Sequence, residues 1–360
     1  MKINAQAYKF FNIEIVVPIV FLLLSFGAWQ FSGLSGAFVL NQVIIRFIRD
    51  GILVLSLVIP VVAGMGLNFA VIVGAMCTQA ALLFVINYQV AGVAGILLVI
   101  FLSILFSLLA GIAIGYVLNR VKGKEMIVTI IIGFLANSIY QLVFLVGFGT
   151  FIPVINEEII LSRGIGVRNA VDLSMYRNTI DKLWLIKIGE IEVPLFMILV
   201  VLLFAGMIYY LLNTRFGQKI KAVGSSYEKA EIAGINVDLI RIKVLILSTV
   251  LAALGQLVFL QNIGMFDVYT AHMNADVISC AALLAGGASI KSAKIRHALI
   301  GVFLFHTLFI VSPQAGQNLF HNAALGEYFR SFVAYGTIAF ALIINIKHED
   351  KRLVVNSSCH

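Results

Sequence analysis

Residues 92–118 read GVAGILLVIFLSILFSLLAGIAIGYVL, a run without one charged side chain. A helix rises about 1.5 Å per residue, so about 20 such residues cross a hydrocarbon core. The run is long enough, and it has no polar face with which to lie in water. Similar apolar stretches occupy 13–34, 40–60, 67–87, 126–149, 194–213, 242–262, 275–290, 297–312 and 328–346. Over the whole chain 61% of residues are hydrophobic, 12% are charged and mean hydropathy is +1.04. Soluble domains carry roughly twice that share of charge. A membrane β-barrel would show short alternating segments instead, and helices satisfy their own backbone inside lipid. The expectation is an all-α, polytopic helical membrane bundle of about ten transmembrane helices, forming one transmembrane domain over 1–360.

The two shortest stretches, 275–290 and 297–312, are read as partly re-entrant or cavity-lining. Lys2 and Lys9 precede Ile15–Phe26 as in a signal peptide, but no small-x-small site follows, and Trp29 and Phe31 continue the run, so it is read as a retained span. Cys77, Cys280 and Cys359 form no disulfide framework, since two of them lie inside spans.

Charge distribution orients the bundle. With both termini inside, the inner segments hold 17 of the 25 Lys and Arg but 7 of the 17 Asp and Glu, a net +10 against −2 outside. That bias is the positive-inside pattern. It also accounts for the overall +8 without nucleic acid. Arg46 and Arg49 break the pattern, as an interfacial amphipathic start to the second span would. Two segments lie outside the membrane: an outward loop at 150–193, containing Glu157, Glu158 and Asp172, and an inward loop at 214–241.

The inward loop holds the most specific local signal. Ser225 and Glu228 have the spacing of a capping box, and Gly234 suits the left-handed stop of a helix. A short helix over about 226–233 is expected, with Ala230 and Ala233 as its small residues. From the residues alone it is either a docking element or a solvated connector.

The surrounding run KAVGSSYEKAEIAGINVDLIRIK (221–243) resembles the A-x-G-x-N-x-x-A-A-x-x-x-G-I loop of ABC importer permeases in the branched-chain amino acid, ribose and nucleoside superfamily. LSTVLAALGQLVFLQNIG (247–264), AALLAGGASIKSAKIRHALIGVFLFHTL (281–308) and FVAYGTIAFALII (332–344) resemble that family's later spans. The resemblance implies a permease subunit of the cell (inner or plasma) membrane, with both termini cytoplasmic. Its 225–235 segment would dock on a cytoplasmic ATP-binding subunit, making Ser225, Glu228, Ala230, Ala233 and Gly234 coupling residues. It also implies an extracytoplasmic solute-binding protein, and a second permease copy or a homologous permease. The 150–193 loop, with GIGVRNAVDLSMYRN in it, is closer to simple-sugar and nucleoside permeases. One departure concerns the family's early G-x-D-L-S-x-G-like segment, where Asn68 stands for the acid.

No cofactor is expected. GGASIKS (286–292) lacks the G-x-x-x-x-G-K-[ST] order of a phosphate-binding loop, so ATP would be bound by a partner subunit and the chain itself would not be an enzyme. The six histidines have no metal-binding spacing, and His272 and His321 are read as solvated loop residues. Within spans, Asn68, Gln79, Asn137, Gln141 and Gln256 are candidate pore-lining amides, because an uncharged amide both donates and accepts. The alternative is interhelical hydrogen bonding. An ion-coupled secondary transporter would need mid-depth carboxylates, which these spans nearly lack.

The topology predicts that single cysteines at positions 120 and 221, in a background without native cysteines, resist an impermeant reagent added outside intact cells. Labelling of either position would overturn this orientation.

Overall fold

The computed structural model describes residues 13–162, 164–173, 176, 183–322, 324–332, 335–336, 338–339 and 343. Lys2, Lys9, Arg163, Cys359 and much of the expected span 328–346 lie outside them. The chain forms two compact units, residues 1–47 with 277–360 and residues 48–276.

In the first unit, α1 (Ile13–Ser32) packs along α12 (Ile295–Phe320). Val39, Val43 and Val311 form a buried cluster with Trp29 and Leu34 against it. At one end Asn318 Nδ2 donates to the carbonyls of Phe31 and Ser32, which α1 leaves unpaired as it stops. At the other, the Glu14 carboxylate accepts from Lys294 and Arg296, each at 2.8 Å.

The second unit is built on α4 (Val71–Asn87), α5 (Gly92–Asn119), α6 (Glu125–Leu142, closed by a π turn Val143–Gly147) and α10 (Val237–Ile263), with α10 lying against α4 and α5. Helix α7 (Leu195–Asn213) leads into α8 (Arg215–Ser225) and α9 (Tyr227–Ile232). α5 has its polarity inside out. Ser103, Ser107, Gly111 and Gly115 are buried, while Val93, Leu97, Phe101 and Leu109 are exposed. Small residues inward and large apolar ones outward suit packing in lipid rather than water.

Six helical segments among the described residues are long and apolar enough to cross a membrane: Glu14–Ser32, Gly92–Asn119, Glu125–Gly147, Leu195–Asn213, Val237–Leu260 and Ile295–Phe320. The chain is a multi-pass helical membrane protein. Among the described residues three further expected spans do not reach crossing length as continuous apolar helices, for visible reasons. Helix α2 (Gly36–Ser56) carries Arg46, Arg49 and Asp50 well inside it rather than at its start. The expected span 67–87 begins at Val71, because the backbone from Ala63 to Ala70, between α3 (Val58–Val62) and α4, leaves the helix. Helix α11 (Ala275–Ala285) has 11 residues. The expectation for 297–312 is corrected in the other direction. Pro313 does not end that helix, and 26 residues from Ile295 to Phe320 make a full crossing length.

The described residues of the 150–193 segment are partly β. Strand β1 (Ala170–Asp172) pairs antiparallel with β4 (Met265–Asp267), and β2 (Leu185–Ile188) forms a hairpin with β3 (Ile191–Pro194). The β1–β4 ladder matters most, because β4 begins the loop that follows α10.

Candidate functional site

Two polar constructions stand at opposite ends of α10, whose 27 residues measure about 40 Å. The first gathers around His272, in the loop after β4. This histidine is not solvated, as its place in a loop suggested: it is wholly buried. Backbone turns at Ala271, Met273 and Ala275 fold the loop back. Val268 N–H donates to the Asn169 carbonyl and Tyr269 O–H to that of Val167, tying the loop to the 150–193 segment. The imidazole Nδ1 lies 2.8 Å from Gln79 Oε1 on α4, and Nε2 lies 2.8 Å from Asn137 Oδ1 on α6. Gln141 Nε2 donates to the same Asn137 oxygen at 3.4 Å. Gln256 Nε2, on α10, donates to the carbonyl of Ala271 at 3.5 Å. The Tyr140 ring stands edge-on to the imidazole, centroids 5.1 Å apart.

Burial pushes the His272 imidazole down to about 4, so the ring is neutral. A neutral imidazole has one N–H and one bare nitrogen, yet both of its amide neighbours present oxygen. One amide must turn over, and the two ends of an amide are close enough in size to allow it. Gln79 turns at least cost. Its Nε2 has no partner where it stands, whereas turning Asn137 would set its NH₂ against that of Gln141.

Four of the five amides named from sequence, Gln79, Asn137, Gln141 and Gln256, are thus brought to one histidine. Asn68 is not. It sits in the broken stretch before α4, where its Oδ1 accepts from Ala70 N and its Nδ2 lies 3.4 Å from Ser248 Oγ. His272 was missed because neither periodicity nor hydropathy marks a loop that returns to the core, and Tyr140 because a tyrosine in the apolar run of α6 looks like any other span residue. Four amides within apolar spans were the available signal.

The second construction surrounds α9. Its N-cap is Ser226, whose hydroxyl accepts from Lys229 N, and not Ser225. Ser225 ends α8, and its hydroxyl donates back to the Ala222 carbonyl at 2.8 Å. The Ser225–Glu228 capping box is therefore corrected by one residue. Ser226, extended at φ −167°, is where the chain leaves one helix before entering the next. Gly234 has φ +77°, and the N–H of Ile235 reaches the Ala230 carbonyl, the left-handed helix stop. Ala230 is buried, whereas Glu228, Ala233 and Gly234 are exposed. Ile232 is 87% exposed, an apolar side chain that the composition of the helix did not single out.

Beneath α9 lies an ion pair. Arg241, on the first turns of α10, is fully buried and donates to Glu125 Oε1 at 2.8 Å, to Asn119 Oδ1 at 2.9 Å and to the Leu118 carbonyl at 2.9 Å. The Tyr227 ring covers its guanidinium at 4.9 Å, and the phenol donates to the Gly64 carbonyl at 3.0 Å. One arginine thus joins the ends of α5 and α6 to α10, and one tyrosine joins α9 to the break before α4. Gly224, at the end of α8, closes the contact: a Cβ on Gly64 would stand 2.9 Å from its Cα.

Comparison with known proteins adds family and relatives. The family model described as branched-chain amino acid transport system / permease component matches residues 39–342. The probable ABC transporter permease protein YphD of Escherichia coli (strain K12) is 29% identical over 155 residues, 43% of this chain and 44% of its own length. The xylose transport system permease protein XylH of the same strain is 27% identical over 118 residues, 32% of this chain and 30% of its own; the Shigella flexneri protein of that name matches equally. The matched part spans less than half of these relatives. No solved structure matches the chain.

The buried pair gives a direct stability test. Glu125→Leu leaves Arg241 buried and unpaired, and should cost about 3–5 kcal/mol, read as lost thermal stability in detergent. Lys122, 2.8 Å from Asp238 but half-exposed, should cost less than about 1 kcal/mol when changed to Ala. Equal losses would mean that the Arg241 pair has no special weight.

Proposed function

Because the chain belongs to the branched-chain amino acid transport system / permease component family, we propose that it is the membrane permease subunit of an ABC importer for simple sugars. Solute moves inward when a separate cytoplasmic subunit binds and hydrolyses ATP. The observation that carries the reading is α9: a capped, glycine-stopped helix with Ile232 outward and its inner side fastened to Arg241 and Gly64. A short rigid helix with an exposed apolar side chain is a docking element, and its fastening passes a push from the ATPase into the bundle. In this reading the chain lies in the inner or plasma membrane with both termini and the 214–241 loop cytoplasmic. It crosses about ten times, α4 and α11 completing their crossings with non-helical backbone as transporter helices do. It pairs with a second copy or a homologous permease.

Sugars are favoured over the amino acids of the family description by the cluster at His272. Gln79, Asn137, Gln141 and Gln256 carry no charge, and burial keeps the imidazole neutral. A zwitterion would leave two charges uncompensated among them, at large desolvation cost. One relative bears the name of a xylose permease, which agrees with a neutral solute; a nucleoside fits the same chemistry. An ion-coupled carrier is disfavoured, since the buried carboxylate Glu125 is already paired with Arg241.

On the outward side, the 150–193 segment receives the solute-binding protein, steered by Glu157, Glu158 and Asp172. Neutralising all three should weaken binding-protein stimulation of ATP hydrolysis at low salt and less so at high salt. Unchanged stimulation at low salt would remove that role. For the coupling helix, Ile232→Asp and Gly234→Val, each at wild-type expression, should reduce co-purification of the ATPase chain and ATP-driven uptake by tenfold or more, about 1.4 kcal/mol in docking. Ala233→Trp should do the same without affecting insertion. If all three keep full association and uptake, α9 is only a connector.

A further inference from the structure

Three buried polar atoms around His272 have no hydrogen-bond partner among the described residues: Gln79 Nε2, Gln256 Oε1 and the Tyr140 hydroxyl. Each belongs to a side chain already in the cluster. Gln79 touches the imidazole, Gln256 reaches the carbonyl next to it, and Tyr140 packs on its edge. Turning the Gln79 amide satisfies the ring but leaves that amide's oxygen over instead of its nitrogen. Amides that only tie helices together are paired, because each unpaired buried group costs free energy. Three leftovers in one place, from α4, α6 and α10, mark groups that bind something else.

We infer that Gln79, Tyr140, Gln256, Asn137 and His272 form the solute-recognition site, and that its ligand is a neutral molecule with several neighbouring hydroxyl groups. A hydroxyl both donates and accepts, so it meets the Gln256 carbonyl, the Tyr140 hydroxyl and whichever atom Gln79 presents. A carboxylate or an ammonium meets only one kind. Beside the polar groups runs an aromatic wall: Tyr140 lies 4.6 Å from Phe144, and Phe144 stacks on Phe148 at 5.4 Å. Apolar lining with a few convergent polar groups is how small-molecule sites are composed, and the wall suits the C–H face of a sugar ring. His272 closes the site from the 265–274 loop, and the β1–β4 ladder ties that loop to the 150–193 segment.

The inference rests on the importer reading, and the test separates the two. The full complex, with its ATPase and binding-protein chains, is reconstituted in liposomes and assayed for ATP-driven uptake of labelled D-ribose, D-glucose and uridine, with L-leucine as the zwitterionic comparator. Tyr140→Phe removes a hydroxyl that has no partner, so its melting midpoint should not fall, yet uptake of the neutral solutes should drop roughly fivefold to tenfold. Gln256→Leu should lower uptake to a similar extent, with a small fall in melting midpoint because the Ala271 carbonyl loses its donor. Wild-type uptake of a neutral solute that both variants retain in full would overturn the site and leave the importer reading standing. So would a lower melting midpoint for Tyr140→Phe that alone accounts for its lost uptake. ATP-driven uptake of leucine but of no neutral solute would overturn the solute class. No ATP-driven uptake of any of the four would sink the importer reading, and this site with it.

Discussion

A backbone that leaves the helix inside a membrane bundle must find every lost hydrogen bond again, since lipid supplies none. From Ala63 to Ala70 this chain does so with side chains borrowed from several elements. Tyr227 of α9 donates to the Gly64 carbonyl, Thr129 of α6 accepts from Phe69 N, and Asn68 accepts from Ala70 N. Ser248 of α10 lies against Asn68 and donates to the Ser56 carbonyl on the other side of the break. The second unit is organised by this requirement as much as by apolar packing. Its helices converge where the break needs partners.

In the proposed importer the same requirement links α9 to the bundle. Helix α9 holds the break through Tyr227, and the end of α8 rests on it glycine to glycine. A displacement of α9 therefore acts on a segment without helical stiffness, one step before α4, which carries Gln79. Arg241 holds the ends of α5, α6 and α10 together beside that contact. The contact of α9 thus adjoins a braced frame.

What could be read from sequence followed physical range. Composition and run length depend on no partner, so the helical membrane class and most helix positions were legible. The loop helix was legible too, but its cap slipped by one residue. Ser225 and Ser226 are chemically equal, and only the end of α8 decides between them. Hydropathy read continuous helices through Leu67–Ala70 and past Ala285, because it sees apolar residues without seeing that the backbone leaves the helix there. It gave α12 too few residues, ending the span at 312 where the helix continues through Pro313 to Phe320. Charge statistics counted Arg241 only as one cation of the inner segments, although it is fully buried. The amides of the His272 cluster were legible as polar atoms in apolar runs. The histidine that unites them was not, because its loop enters the core from 193 residues beyond Gln79.

The pairing of Glu125 with Arg241 also has a place in time. The two lie 116 residues apart in the chain, and synthesis at about 5–20 residues per second takes roughly 6–23 s to cover that distance. During that interval α5 and α6 are already made, and the carboxylate has no arginine. A newborn chain must keep Glu125 at the membrane surface, in water or beside a helper, until α10 arrives. The ion pair that braces the finished bundle is thus among the last of its contacts to form, and it cannot guide the placing of α5 and α6.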